Sequence, residues 1–143
     1  MIEAFSDVDI VARTLYGEAR GEVAKVGLIA LEAVASVIWN RWRIQPSYFG
    51  KTPREVCLKP YQFSCWNRND PNLERLLASQ ITDETYSLCR MIAEEFLADK
   101  GEDVVNGSDH YHAVWLSPPS WAIGKMPVVD IGIHRFYRLI SKH

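Results

Sequence analysis

Glu18 is the side chain whose position most favours acid chemistry. It lies three residues after Leu15 and seven after Val11, so a helix through this segment places its carboxyl on the edge of an apolar stripe. Burial there disfavours the charged form, and the negative end of the helix macrodipole disfavours it again. Both effects favour a protonated acid near neutral pH, the state that a general acid for glycosidic cleavage requires. The residues alone leave a second reading open, in which Glu18 is a helix-end surface residue paired with Arg13 or Arg20. Glu22 would share the face of Glu18 if the helix continued, but Gly21 lies between them. Glu22 therefore reads as a structural residue or one at the rim of a cleft.

Histidines and cysteines are the other candidates. His110 and His112 alternate as on one side of a strand, and with His134 they would form a metal site only if the fold converged on all three. Spacing fixes no third ligand, so neither a metal nor another cofactor is expected. Cys57, Cys65 and Cys89 cannot all pair within the chain, and none has CxxC spacing. Reduced, partly buried thiols are the expectation, as in a chain made in the cytosol.

The elements that must position these groups follow from periodicity. Ser6 can cap a first helix on which Val8, Val11, Ala12, Leu15 and Ala19 fall at helical spacing, with Gly17 and Gly21 loosening its end. Val23 to Trp42 carries two apolar stripes and predicts a central helix surrounded by protein, with Trp39 and Trp42 packed inside. Thr52-Pro53-Arg54-Glu55 predicts a capped short helix stopped by Pro60. Tyr61 to Trp66 alternates in polarity and reads as an extended segment or loop wall. Asp70-Pro71 can start a short helix through Leu77, and Thr82 can cap a longer one ending at Gly101. From Asn106-Gly107 onward the pattern becomes strand-like, at Asp109 to Leu116, Val128 to Ile133 and His134 to Leu139. The fold class is α+β, mostly helical, with a central buried helix and a small antiparallel sheet near the C-terminus.

Bulk properties bound the function. The 143 residues, 48% apolar, suit one domain spanning 1–143 and one core. Sixteen basic and eighteen acidic side chains give a net charge of −2 with no basic stripe, which argues against a nucleic-acid partner. Acids at Glu3, Asp7 and Asp9 stand where a Sec-type signal would carry positive charge, so none is expected. The longest apolar stretch is broken by Glu32, Ser36, Asn40 and Arg41, so no membrane insertion is expected and the protein should be soluble.

The run Ala12-Arg13-Thr14-Leu15-Tyr16-Gly17-Glu18-Ala19-Arg20-Gly21-Glu22, followed by an apolar helix ending in Asn40-Arg41, resembles the start of the SleB-type cell wall hydrolase family, which includes the spore cortex-lytic enzymes. Gln62-Phe63-Ser64 resembles that family's middle motif. His110-Tyr111-His112-Ala113 with Ser117-Pro118 and Trp121-Ala122 resembles its late motif, and Ile131 to Tyr137 its ending. The resemblance covers nearly the whole chain and implies a lysozyme-like fold with Glu18 as the catalytic glutamate. It points to a lytic transglycosylase acting on the β-1,4 bond between N-acetylmuramic acid and N-acetylglucosamine of peptidoglycan. Within the matched motifs, Gln62, Ser64, Tyr111, His112 and Tyr137 have the chemistry to bind sugar hydroxyls and acetamides, although each is equally suited to the core.

No partner carboxylate is fixed by spacing, which also favours transglycosylation. A muramidase-type hydrolase remains the rival, with Asp70, Asp109 or Asp130 as its second acid. A rival of another class is a catalytically idle muropeptide-binding or phage structural domain. The expected protein resembles a phage endolysin: a monomer made in the cytoplasm that acts on the cell wall or periplasm after release through a separate holin or export pore.

Overall fold

The structure is a computed structural model that describes residues 2–140, so residue 1 and residues 141–143 of the expected single domain lie outside the described residues. Helix α1, Asp7–Ala19, begins at the expected cap: the Ser6 side chain accepts the Asp9 N–H at 3.1 Å. Its stripe of Ile10, Val11, Ala12 and Leu15 is fully buried. Helix α1 continues through Gly17 to Ala19, so Gly17 does not loosen the end. Gly17 instead lets another segment approach, since a Cβ there would stand 2.6 Å from the Cβ of Cys65.

The expected central helix is divided. A single turn, α2, Val23–Val26, stops at Gly27, whose φ of 83° breaks the helical path, and α3 runs over Ile29–Ile44. The apolar pattern crosses Gly27 without a gap, but the backbone does not. Helix α3 is the core element, buried at Ala30, Leu31, Ala33, Val34, Ala35, Val37 and Ile38, and it packs on α1, on the sheet and on three later helices. Trp39 is buried and Trp42 half-buried. Two short helices follow, α4, Pro46–Phe49, and α5, Pro53–Leu58; Thr52 caps α5 by accepting the Glu55 N–H.

Tyr61 to Trp66 is not extended. Gln62 N–H bonds back to Lys59, and Ser64–Trp66 forms a 3-10 turn closed by Asn67 N–H on Ser64. Next come α6, Leu73–Leu76, and α7, Glu84–Leu97, which lies along α1. The cap of α7 is Asp83 rather than Thr82, with the Asp83 side chain accepting the Tyr86 N–H.

The three late strands are β1, His110–Ala113, β2, Val129–Ile131, and β3, His134–Tyr137, in the antiparallel order β1-β3-β2. Register pairs Tyr111 with Phe136 and Ala113 with His134, so these residues share the inner face, where Phe136 packs on Ala33 and Val37 of α3. His110, His112 and Tyr137 share the outer face. The chain from 114 to 128 leaves Trp115, Ile123 and Met126 exposed but returns Trp121 against His110, His112 and Tyr137. All three cysteines are unpaired and buried; burial pushes Cys57 and Cys89 up to about 12 and raises Cys65 as well. No helix among the described residues is long and apolar enough to cross a membrane.

Candidate active site

Thr14 and Glu18 lie one helical turn apart on α1, and both receive the 3-10 turn at Ser64–Trp66. The Trp66 indole N–H donates to Thr14 Oγ1 at 2.9 Å, and the Cys65 backbone N–H donates to Glu18 Oε2 at 3.1 Å. Gly17 makes this approach sterically possible.

The second Glu18 oxygen, Oε1, accepts the hydroxyl of Tyr111 from the inner face of β1. Burial pushes the Tyr111 phenol well above its ordinary value, and the Glu18 carboxylate adds to the shift, so Tyr111 stays a neutral O–H. The two donors differ chemically. A backbone N–H can only donate and therefore holds Oε2 as an acceptor, whereas a hydroxyl can turn and accept. Oε1 thus faces a partner able either to donate or to accept.

Arg41 of α3 organises the floor of the site. It is 5% exposed, donates from Nε to the Asp109 carbonyl at 2.7 Å and lies over the Phe63 ring at 4.9 Å. Its Nη1 has no hydrogen-bond partner among the described residues. Burial weakens its hold on the proton, while Tyr111, Asp109 and Glu18 oppose that effect, placing the guanidinium within electrostatic reach of the catalytic candidate.

His134 completes the inner wall. Its ring lies 4.8 Å from that of Tyr111, and burial lowers its pKa against the opposing pull of Glu18 and Glu22. Glu22 is itself 6% exposed and accepts the Ile133 N–H through Oε1 at 2.9 Å. It is therefore inside the fold rather than on an open rim.

The remaining predicted binding residues divide into two groups. Ser64 is exposed beside Cys65 and Gln62 is half-buried on the preceding turn; neither hydrogen-bonds Glu18 among the described residues. His112 and Tyr137 lie on the outer face, joined through His112 Nε2 and the Tyr137 hydroxyl at 3.0 Å with their rings stacked. His112 Nδ1 meets the Ala113 carbonyl, so it carries the hydrogen and Nε2 accepts from Tyr137. The sheet thus separates His134 from His110 and His112, and the three do not converge.

The aspartates considered as second acids are each engaged. Asp70 accepts the Asn72 N–H, though it lies within electrostatic reach of Cys65, and Asp130 forms a paired contact with Arg135. Asp109 is fully buried and accepts Leu139 N–H, Ile140 N–H and His110 Nδ1. Burial alone would raise its carboxyl; the His110 contact and the two N–H donors outweigh this and hold it below its ordinary range. Sequence reasoning does not assign Cys65 N–H, Trp66, Thr14 or Arg41 to the site. A glycine inside an otherwise regular helical pattern, Gly17, is the available signal for the first of these.

Glu18 is thus one half-buried carboxyl at a helix end, set between a helical lobe and a small sheet. Residues 28–137 match the Cell Wall Hydrolase family, and the chain belongs to that family of peptidoglycan-degrading enzymes. The match begins after Glu18, so the role of that residue rests on its surroundings. The fold is shared with the catalytic domain of the Bacillus cereus SleB protein, at TM-score 0.66 and 23% identity over 92% of this chain and 88% of the other. It is also shared with the catalytic domain of the germination-specific lytic transglycosylase SleB from Bacillus anthracis, at TM-score 0.66 and 23% identity over 94% and 97%. No curated protein matches the sequence.

Proposed function

We propose that this enzyme is a lytic transglycosylase that cleaves the β-1,4 bond between N-acetylmuramic acid and N-acetylglucosamine, with Glu18 as acid and then base. The observation that carries this reading is the fixing of Glu18 by Tyr111 and Cys65 N–H, while Asp109 and Asp130 are held by other partners and Asp70 makes a local contact with Asn72 N–H. Protonated Glu18 gives its proton to the glycosidic oxygen as the bond to the muramoyl anomeric carbon breaks. The 6-hydroxyl of the same muramoyl residue then forms the new bond to that carbon and returns its proton to Glu18. The acid is regenerated and no water is consumed.

In this reading Tyr111 follows the Glu18 proton by turning its hydroxyl, and Ser64 and Gln62 contact the sugar at the lip. His112 and Trp121, half-buried on the outer side of the sheet, contribute ring surface for the strand, and the buried Tyr137 backs them. The Bacillus anthracis protein that shares the fold is a lytic transglycosylase, which supports the same chemistry here.

The test is digestion of purified sacculi with mass spectrometry of the soluble products. Wild type is expected to release muropeptides ending in 1,6-anhydro-N-acetylmuramic acid, and Glu18→Gln to lower the rate roughly 10²–10⁴-fold with the fold intact. Products dominated by reducing-end muramic acid would reject transglycosylation in favour of hydrolysis. Comparable lysis by folded Glu18→Gln would reject the catalytic assignment.

A further inference from the structure

The buried carboxylate of Glu22 takes no part in the reaction described above, yet four observations connect it to the catalytic acid. Its Oε1 accepts Ile133 N–H in the β2–β3 turn, and Gly132, with a φ of 57°, leaves the space it occupies: a Cβ there would lie 2.4 Å from that oxygen. Immediately beyond Ile133, His134 begins β3 and lies within electrostatic reach of both Glu22 and Glu18. His134 packs edge-on against Tyr111. Tyr111 in turn donates to Glu18.

We propose that Glu22 is a positioning residue: by hydrogen-bonding the β2–β3 turn it seats His134 against Tyr111 and so holds the Tyr111 hydroxyl on Glu18. The inference rests on the catalytic reading of Glu18. What Glu22 supplies is an acceptor at a fixed distance from the Arg20–Glu22 turn. The paired Lys25 ammonium stands 3.9 Å from Oε2 and is largely exposed, so that ion pair adds little holding force. The effect on catalysis is geometric, because a misplacement of the order of 1 Å at a reacting group slows a positioned proton transfer steeply.

The experiment compares Glu22→Gln, Glu22→Asp and Gly132→Ala with wild type and Glu18→Gln, measuring kcat and KM on soluble glycan fragments per folded molecule, with thermal unfolding recorded for each. Glu22→Gln keeps an acceptor oxygen at the same reach and is expected to stay within about threefold of wild-type kcat. Glu22→Asp keeps the charge but withdraws the oxygen, and Gly132→Ala displaces it; each is expected to lower kcat roughly 10- to 100-fold with KM little changed. A purely structural role would lower Tm and leave kcat per folded molecule unaltered, and that result overturns the proposal. A Glu22→Gln loss as large as that of Glu18→Gln also overturns it, because the charge would then be the working property. Should Gly132→Ala fail to fold, the Asp and Gln pair decides alone. An active Glu18→Gln, by contrast, refutes the catalytic reading itself, whatever the Glu22 variants do.

Discussion

The helical lobe and the late sheet are held in different ways. Around α1 and α3, stability comes from contiguous apolar burial, with Ile10, Val11, Leu15, Leu31, Val34 and Ile38 removed from water. The sheet has a small apolar contact through Phe136, Val129 and Ile131, and is attached by directed polar contacts: Arg41 to Asp109 O, Asn40 to Ser108 O, Asp109 to the 139–140 backbone and Glu22 to Ile133 N–H. Apolar packing tolerates small shifts, whereas hydrogen bonds select one register. The candidate site lies at the junction, so the Glu18 carboxyl is carried by the first kind of structure and the Tyr111 hydroxyl by the second.

A mutation in each region should separate these roles. Leu31→Ala, in the packed lobe, is expected to destabilise by about 2–5 kcal/mol in denaturant unfolding while the rate per folded molecule remains near wild type. A proportionate loss of rate would mean that the lobe does more than support Glu18. Asp109→Ala, in the attached region, leaves two backbone donors unpaired and should destabilise by about 1–3 kcal/mol. Because the lost contacts adjoin β1, its rate per folded molecule should also fall, by roughly tenfold. An unchanged rate would erase the distinction between the two regions.

A smaller effect should appear in the pH dependence of stability. The pKa of His134 is lowered by burial below its ordinary 6.5, so below that pH the unfolded chain takes up a proton that the folded chain resists. The contribution is complete above 6.5 and is lost as the pH falls toward the folded value. Thermal unfolding should show this slope in wild type, bounded by about 1.4 kcal/mol per pH unit for one proton, and lose it in His134→Gln.

The same division governs what can be read from the chain. Ser6 and Thr52 declare their caps because each bonds an N–H three residues away, and α3 declares its burial through periodicity. The break at Gly27 is hidden because apolar spacing continues across it. Tyr61 to Trp66 misleads because alternation describes polarity, while the turn arises from backbone bonds to Lys59 and Ser64. In the candidate site, Glu18 is singled out by its helix position and by family motifs. Its partners are not: Tyr111 is 93 positions away, and the Cys65 donor is a main-chain N–H that every residue type except proline carries.

The buried cysteines have a practical consequence. With Cys57 and Cys89 pushed up to about 12, thiolate at neutral pH is on the order of one part in 100,000, and the sulfurs are enclosed by the core. Alkylation of the native protein must therefore wait for the chain to open. Maleimide labelling followed by mass spectrometry should level off at high reagent concentration, at the opening rate rather than at a rate set by thiol reactivity. The three sulfurs thus serve as built-in clocks for excursions from the native state, located on α5, beside Glu18 and on α7.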